Sequence, residues 1–166
     1  MRSVLLIALT IVGISSAHAQ TARVDRFDKI KPGIIKADKV TTKQDDNIST
    51  GKIVQTEGAK VVEVTNKVTA ADGTRFGVEF VSIGSPKGRK ATVKILWRYP
   101  QPGLKSPNTG TTKFTDEYED TVTIGTRGQF HWTLGDEWTR VPGTWTLEVS
   151  QNDRKLLSQD FILTKP

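Results

Sequence analysis

The chain has 166 residues, no cysteine, two histidines and a formal charge of +6 at pH 7. Disulfides, thiol nucleophiles and cysteine-ligated zinc are excluded, so folding rests on packing, for which a chain of this length suffices. Its 24 basic and 18 acidic residues are interleaved along the chain, which reads as a mixed solvated surface rather than a nucleic-acid footprint.

The first residues have the three parts of a secretory signal peptide. Arg2 gives the positive end, Val4 to Ile14 an apolar run, and Ser15, Ser16 and Ala17-His18-Ala19 the small residues of a cleavage site. Cleavage after Ala19 would leave Gln20 first. The apolar run is well short of the ~20 residues that a membrane span needs, and no cysteine stands at the site to carry a lipid. The expectation is an exported protein, periplasmic or secreted and soluble after cleavage.

Residues 20–60 are polar, with one short apolar patch at Ile30, Ile34 and Ile35 around Pro32-Gly33. They predict one strand near 29–38, then a long loop or weak hairpin over 41–59. From residue 61 the apolar period is two. Val62, Val64 and Val68 share a parity, and Phe76, Val78 and Phe80 follow the turn Asp72-Gly73. Ala91 to Tyr99 alternates most cleanly, with Lys90, Lys94 and Arg98 on the opposite parity. Shorter strands follow at Val122–Ile124, Phe130–Leu134, Trp145–Val149 and Leu157–Leu163, separated by turns at Asp136-Glu137, Pro142-Gly143 and Asn152-Asp153. Segment 99–120 breaks the alternation. Its prolines at 100, 102 and 107 exclude a central strand, and it reads as a long ordered loop. Together these elements predict an all-β fold: one antiparallel, immunoglobulin-like sandwich of seven to eight strands. Residues 20–60 form its N-terminal strand and polar loop, and 61–166 its main body.

No catalytic motif, metal-ligand set or cofactor fingerprint stands out. His131 is the only histidine outside the leader and lies on the polar parity of its strand, as an exposed side chain would. The acids Asp116, Glu117, Glu119 and Asp120 lack the spacing of a calcium loop. Acids adjacent in sequence alternate faces on a strand, so a solvated edge explains them as readily as a carboxylate pair. Lys90, Lys94 and Arg98 can form a basic stripe for an anionic glycan or lipid head group; equally, they are the wet face of a sheet. Trp97, Trp132 and Trp145 fall on apolar parities and read as core. Trp138 lies outside any alternation, beside Arg140, and is either an exposed recognition aromatic or a cap on the end of the sandwich.

Several elements recur in a recognisable order: Gly73-Thr74-Arg75-Phe76-Gly77, Gly84-Ser85-Pro86-Lys87-Gly88, Pro102-Gly103-Leu104-Lys105-Ser106-Pro107 and Val141-Pro142-Gly143-Thr144-Trp145. With Arg154-Lys155-Leu156 and Phe161 they resemble the bacterial "domain of unknown function 3859" family over about residues 27–163. The resemblance implies a β-rich fold and a bacterial origin, and it supplies no mechanism.

Two function classes follow. The first is a non-enzymatic binding or accessory module of the periplasm or cell envelope. Its surface would be built from Tyr99, Pro100, Leu104, Trp138 and Arg140, and its partner would be an envelope protein or an anionic glycan or lipid head group. The second is an envelope enzyme or enzyme inhibitor that uses the acids Asp116, Glu117, Asp136 and Glu137.

Overall fold

The structure, a computed structural model, describes residues 21–166. The signal-peptide reading of residues 1–19 lies outside the described residues. Two β-sheets face each other across an aromatic core. The first has the order β11-β6-β1-β4, built from β1 (Arg23–Lys36), β4 (Lys60–Val64), β6 (Arg75–Ser85) and β11 (Arg127–Thr133). The second has the order β10-β7-β12-β13-β5, built from β5 (Lys67–Thr69), β7 (Lys90–Arg98), β10 (Thr115–Thr123), β12 (Gly143–Gln151) and β13 (Arg154–Thr164). Two small hairpins complete the strands: β2 (Lys39–Gln44) with β3 (Lys52–Glu57), and β8 (Leu104–Lys105) with β9 (Thr112–Lys113). A 3-10 helix occupies Glu137–Thr139, and no helix among the described residues is long and apolar enough to cross a membrane.

The alternation that predicts strands is the alternation of burial. Along β7, Ala91, Val93, Ile95, Trp97 and, just beyond it, Tyr99 are buried, while Thr92, Lys94 and Arg98 are exposed. Along β12, Trp145, Leu147 and Val149 turn inward. These side chains meet Phe76 of β6 and Phe161 of β13. The Phe76 ring lies 5.7, 5.9 and 5.1 Å from the rings of Trp97, Trp145 and Phe161, edge-on as ring quadrupoles favour. Phe27, Phe80 and Phe130 form a second aromatic group at 4.5–5.7 Å.

Four features depart from the sequence reading. There are thirteen strands among the described residues, nine of them in the two sheets, because polar strands lack the apolar alternation that reveals a strand. The pairing is not wholly antiparallel, since β13 runs parallel to β5 through Leu163 and Val68. Segment 99–120 is not one long loop; it contains the β8–β9 hairpin and most of β10. Val62 and Val64 do not face a core: they are 48% and 68% exposed on β4, which among the described residues is an edge strand paired only with β1.

The β2–β3 hairpin positions the site. It leaves the sandwich after β1 and returns at β4, two strands that are themselves paired. Between them it reaches across β11 to the far sheet. Val54 lies against His131, Thr56 Oγ1 accepts a bond from Gln129 Nε2 at 3.1 Å, and the tip residue Ile48 is buried in the core.

Candidate functional site

β10 and β11 are the terminal strands of their sheets and follow one another through a tight turn, so the sandwich is open along the line between them. Asp116, Tyr118, Asp120 and Val122 share the inward parity of β10, and Phe130 and Trp132 that of β11. The β2–β3 hairpin bridges this opening and leaves a cleft of about 800 Å³. Tyr118 to Thr121, Gln129 to Thr133 and the whole of β3 line it, with Asp136 and Thr139 at one end. A second hollow of about 170 Å³ continues the same edge and shares Asp120, Thr121, Gln129 and Phe130 with the cleft.

The hairpin tip is tied down by one carboxylate. Asp116 is 1% exposed. It accepts bonds from the Tyr99 hydroxyl at 2.8 Å, the Ser49 backbone N–H at 2.7 Å and the Ser49 hydroxyl at 2.8 Å. Lys113 Nζ stands 3.5 Å away and also donates to the Asn47 carbonyl oxygen. A buried carboxylate with this many donors is satisfied as a structural anchor. Burial and the adjacent carboxylate push the Tyr99 hydroxyl well above its ordinary range.

Asp120 is different. Its Oδ1 accepts the N–H of Thr121 at 2.7 Å, and it has no cationic partner among the described residues. Its side chain is open to solvent at the cleft, and the partial burial that remains pushes its carboxyl up, which the Thr121 N–H offsets in part. His131 is also largely covered, which corrects the expectation of an exposed histidine: the hairpin lies over the outer face of β11. Burial, with the Arg75 guanidinium nearby, holds its pKa down to about 4. Two buried polar atoms of the β11 wall, His131 Nε2 and Trp132 Nε1, have no hydrogen-bond partner among the described residues, and Trp97 Nε1 in the core is a third.

The residues singled out from sequence are distributed unevenly. Tyr99 and Leu104 are 7% and 1% exposed and offer no surface. The inward parity of β7 continues through Tyr99, and the β8–β9 hairpin folds Leu104 back onto the core. Pro100 is half-buried and packs near Gly143. Trp138 is half-buried against the core beside Thr139. Arg140 Nε donates to the Gly135 carbonyl at 2.9 Å, and Arg140 Nη2 lies 3.9 Å from Asp72. Lys90, Lys94 and Arg98 do share one exposed face, but acids are interleaved with them. Lys94 pairs with Glu117 at 3.1 Å and Arg98 with Glu148 at 3.3 Å, and Glu148 also meets Lys155. Of the four acids weighed for catalysis, Asp116 is buried rather than solvated, and Glu117 pairs with Lys94. Asp136 and Glu137 stand exposed at the 3-10 helix.

An open-edged sandwich with a hairpin laid across the opening is an immunoglobulin-like architecture carrying a side cleft. The chain belongs to the family described as "Domain of unknown function (DUF3859)", whose model matches residues 23–163. Its fold is similar to that of an immunoglobulin-like protein from Pseudomonas aeruginosa. The two are 21% identical with a TM-score of 0.59, and the match covers 87% of this chain and 98% of that one. A weaker likeness is to an alkylpurine DNA glycosylase from Pseudomonas fluorescens, at 20% identity and a TM-score of 0.36, over 59% of this chain and 27% of that one. No curated protein matches the sequence.

Proposed function

We propose that this chain is an exported, non-enzymatic binding module of the periplasm or cell envelope, and that it binds its partner in the cleft between the β2–β3 hairpin and the β10–β11 edge. The cleft itself carries the reading. Its volume of about 800 Å³ lies in the range of ligand sites, about 300–1,000 Å³. It has an aromatic floor in Tyr118, Phe130 and Trp132 and a rim of threonines, Gln55 and Gln129, and such polar groups on a rigid scaffold give orientation and specificity. Trp138 and Arg140 belong to the rim in this reading, since Asp136 and Thr139 on either side of Trp138 line the cleft. The basic stripe is secondary, because Glu117 and Glu148 offset its charge.

Two experiments test the proposal. Mass spectrometry of the protein recovered after export is expected to find Gln20 at the N-terminus; an intact Met1 in the envelope fraction contradicts export by cleavage. For the cleft, Gln55→Trp places a large side chain at an exposed lining position. It is expected to abolish capture of partners from envelope extract while leaving the melting temperature unchanged. Undiminished capture by this variant places the binding surface elsewhere.

A further inference from the structure

We infer that the cleft takes an extended, basic polypeptide segment, which adds as a strand to the free edge of β10 and brings a lysine or arginine side chain to Asp120. The inference rests on the reading of the cleft as the binding site and names its occupant.

The cleft is lined by strand edges rather than by one face of a sheet. Successive residues of a strand point to opposite faces. Yet Tyr118, Glu119, Asp120 and Thr121 all line the cleft, as do Gln129 to Thr133 and Lys52 to Glu57. Consecutive lining residues mean that the backbone is seen edge-on. Among the described residues β10 pairs with β7 alone, so every second N–H and C=O of β10 points away from β7. The Thr121 N–H belongs to that outward set, because it is met by the Asp120 side chain and not by β7. By alternation the backbone groups of Glu119 point outward too. A row of such groups is the template for strand addition. Six residues of β3 run along the cleft, which corresponds to about 20 Å of extended chain.

The side-chain chemistry selects the segment. Asp120 lies on the inward parity of β10 yet stays open to solvent, and Asp136 stands at the margin; neither has an ion-pair partner among the described residues, while Glu119, also at the margin, lies opposite Lys94 of β7. Glu57 is already held by Lys39 at 3.2 Å. Lys43 and Lys52 lie on the opposite, hairpin side, so acids hold the sandwich edge and bases the hairpin arm. A strand seated between them is favoured when its cations face β10. Tyr118 shares the inward parity of Asp120, so the side chains of that strand that reach Asp120 also pass over the Tyr118, Phe130 and Trp132 floor, which suits the apolar stem and cationic head of lysine or arginine. There Trp132 Nε1 is a buried donor without an acceptor among the described residues.

Asp120 also explains how the edge stays unpaired until such a segment arrives. An inward-pointing charge capping an edge N–H is a guard against indiscriminate pairing. An incoming ammonium or guanidinium draws the carboxylate off the Thr121 N–H and releases that donor for the new strand. An uncharged strand gives Asp120 no partner and leaves a desolvated charge, which is costly.

The test uses the protein as purified from its host and a fluorescein-labelled heptapeptide, Lys-Thr-Lys-Val-Lys-Thr-Lys. Its comparators are a Glu-for-Lys counterpart and a copy N-methylated at alternate backbone nitrogens. Fluorescence anisotropy at physiological salt is expected to show binding of the basic peptide. N-methylation, the acidic replacement and Asp120→Asn are each expected to weaken it at least tenfold. The amides of Glu119 and Thr121 should gain protection from hydrogen exchange. Equal binding of the N-methylated peptide, or full affinity in Asp120→Asn, overturns the inference, as does protection confined to another strand. So does binding of maltohexaose in place of the peptide, or a concentration-dependent dimer in sedimentation that protects the same amides. If Gln55→Trp abolishes capture from extract while no peptide binds, the cleft remains the site and the strand assignment alone falls.

Discussion

A single carboxylate decides how the hairpin is held. Asp116 accepts from Tyr99 and Ser49 in a site with almost no solvent contact, and hydrogen bonds to buried charge are worth about 1.5–3 kcal/mol each. Asp116→Ala strands the Tyr99 hydroxyl and frees the hairpin tip, so a loss of about 2–4 kcal/mol is expected. A melting temperature within one degree of the parent would show the contact to be dispensable. His131 gives the pH dependence. Its pKa is held down to about 4, against about 6.5 in an unfolded chain. The unfolded state therefore binds more protons once the pH drops below about 6.5, and stability falls with pH until about 4. Over that window the loss is of order 3 kcal/mol from this group. His131→Gln is expected to flatten the corresponding part of the stability–pH curve in denaturant titrations; an unchanged curve would assign the slope to other groups.

Neither residue could be read from sequence, though both lie on the parity that alternation assigns. Asp116 shares its parity with Tyr118 and Val122, and His131 shares the outer parity of β11 with Gln129. Alternation tells which face a side chain takes; it does not tell whether that face is covered. Both are covered by the hairpin, about 60 to 80 residues away in sequence. Its own strand β2, Lys-Val-Thr-Thr-Lys-Gln, is exposed at every position and so carries no periodic signal. That is why residues 41–59 read only as a long loop or weak hairpin, and why the cleft was hidden while the core of β7 and β12 was plain.

At the scale of the element, the hairpin is a β-ribbon held at its tip and open along its length. A lone two-stranded hairpin is marginal in water, and here the anchors are Ile48 in the core, Ser49 on Asp116 and Gln129 on Thr56. Ile48→Ala removes one of them at a typical cost of 2–5 kcal/mol for a fully packed site. The hairpin is expected to open locally before the sandwich does. Amide exchange over residues 39–57 should then accelerate at least tenfold while β7 and β12 keep their protection; uniform acceleration would make the hairpin part of the global folding unit. The floor beneath it is set by close backbone packing. Gly77 lies opposite His131, and a Cβ there would stand 2.0 Å from the Phe130 carbonyl oxygen. Gly77→Ala is therefore expected to displace β11 and alter the amide shifts of residues 129–133.

Across the whole molecule, the tryptophans divide into Trp97, Trp132 and Trp145, which pack between the two sheets, and Trp138, which stands on the 3-10 helix at the margin of that core. Trp145 is fully buried, its ring 4.7 Å from Tyr99 and 5.6 Å from Trp132, with Nε1 donating to the Val141 carbonyl oxygen at 2.9 Å. Truncating such a ring costs about 3–5 kcal/mol. Against a typical total of about 5–15 kcal/mol, Trp145→Ala should lower the melting temperature by ten degrees or more and can unfold the chain. Trp138 sits on the 3-10 helix, half-buried, between two residues that line the cleft. Its removal takes away less packing and leaves the sheet pairing intact, so Trp138→Ala is expected to keep the melting temperature within a few degrees. If the cleft binds as proposed, Trp138 at its rim has the character of an interface anchor, and its loss should weaken capture by about 2 kcal/mol or more, some thirtyfold in affinity. The two variants separate folding from binding: Trp145→Ala reports on the sandwich, Trp138→Ala on the cleft. A collapse of stability in Trp138→Ala would make that corner a structural cap, and retained capture in a folded Trp138→Ala would remove it from the site.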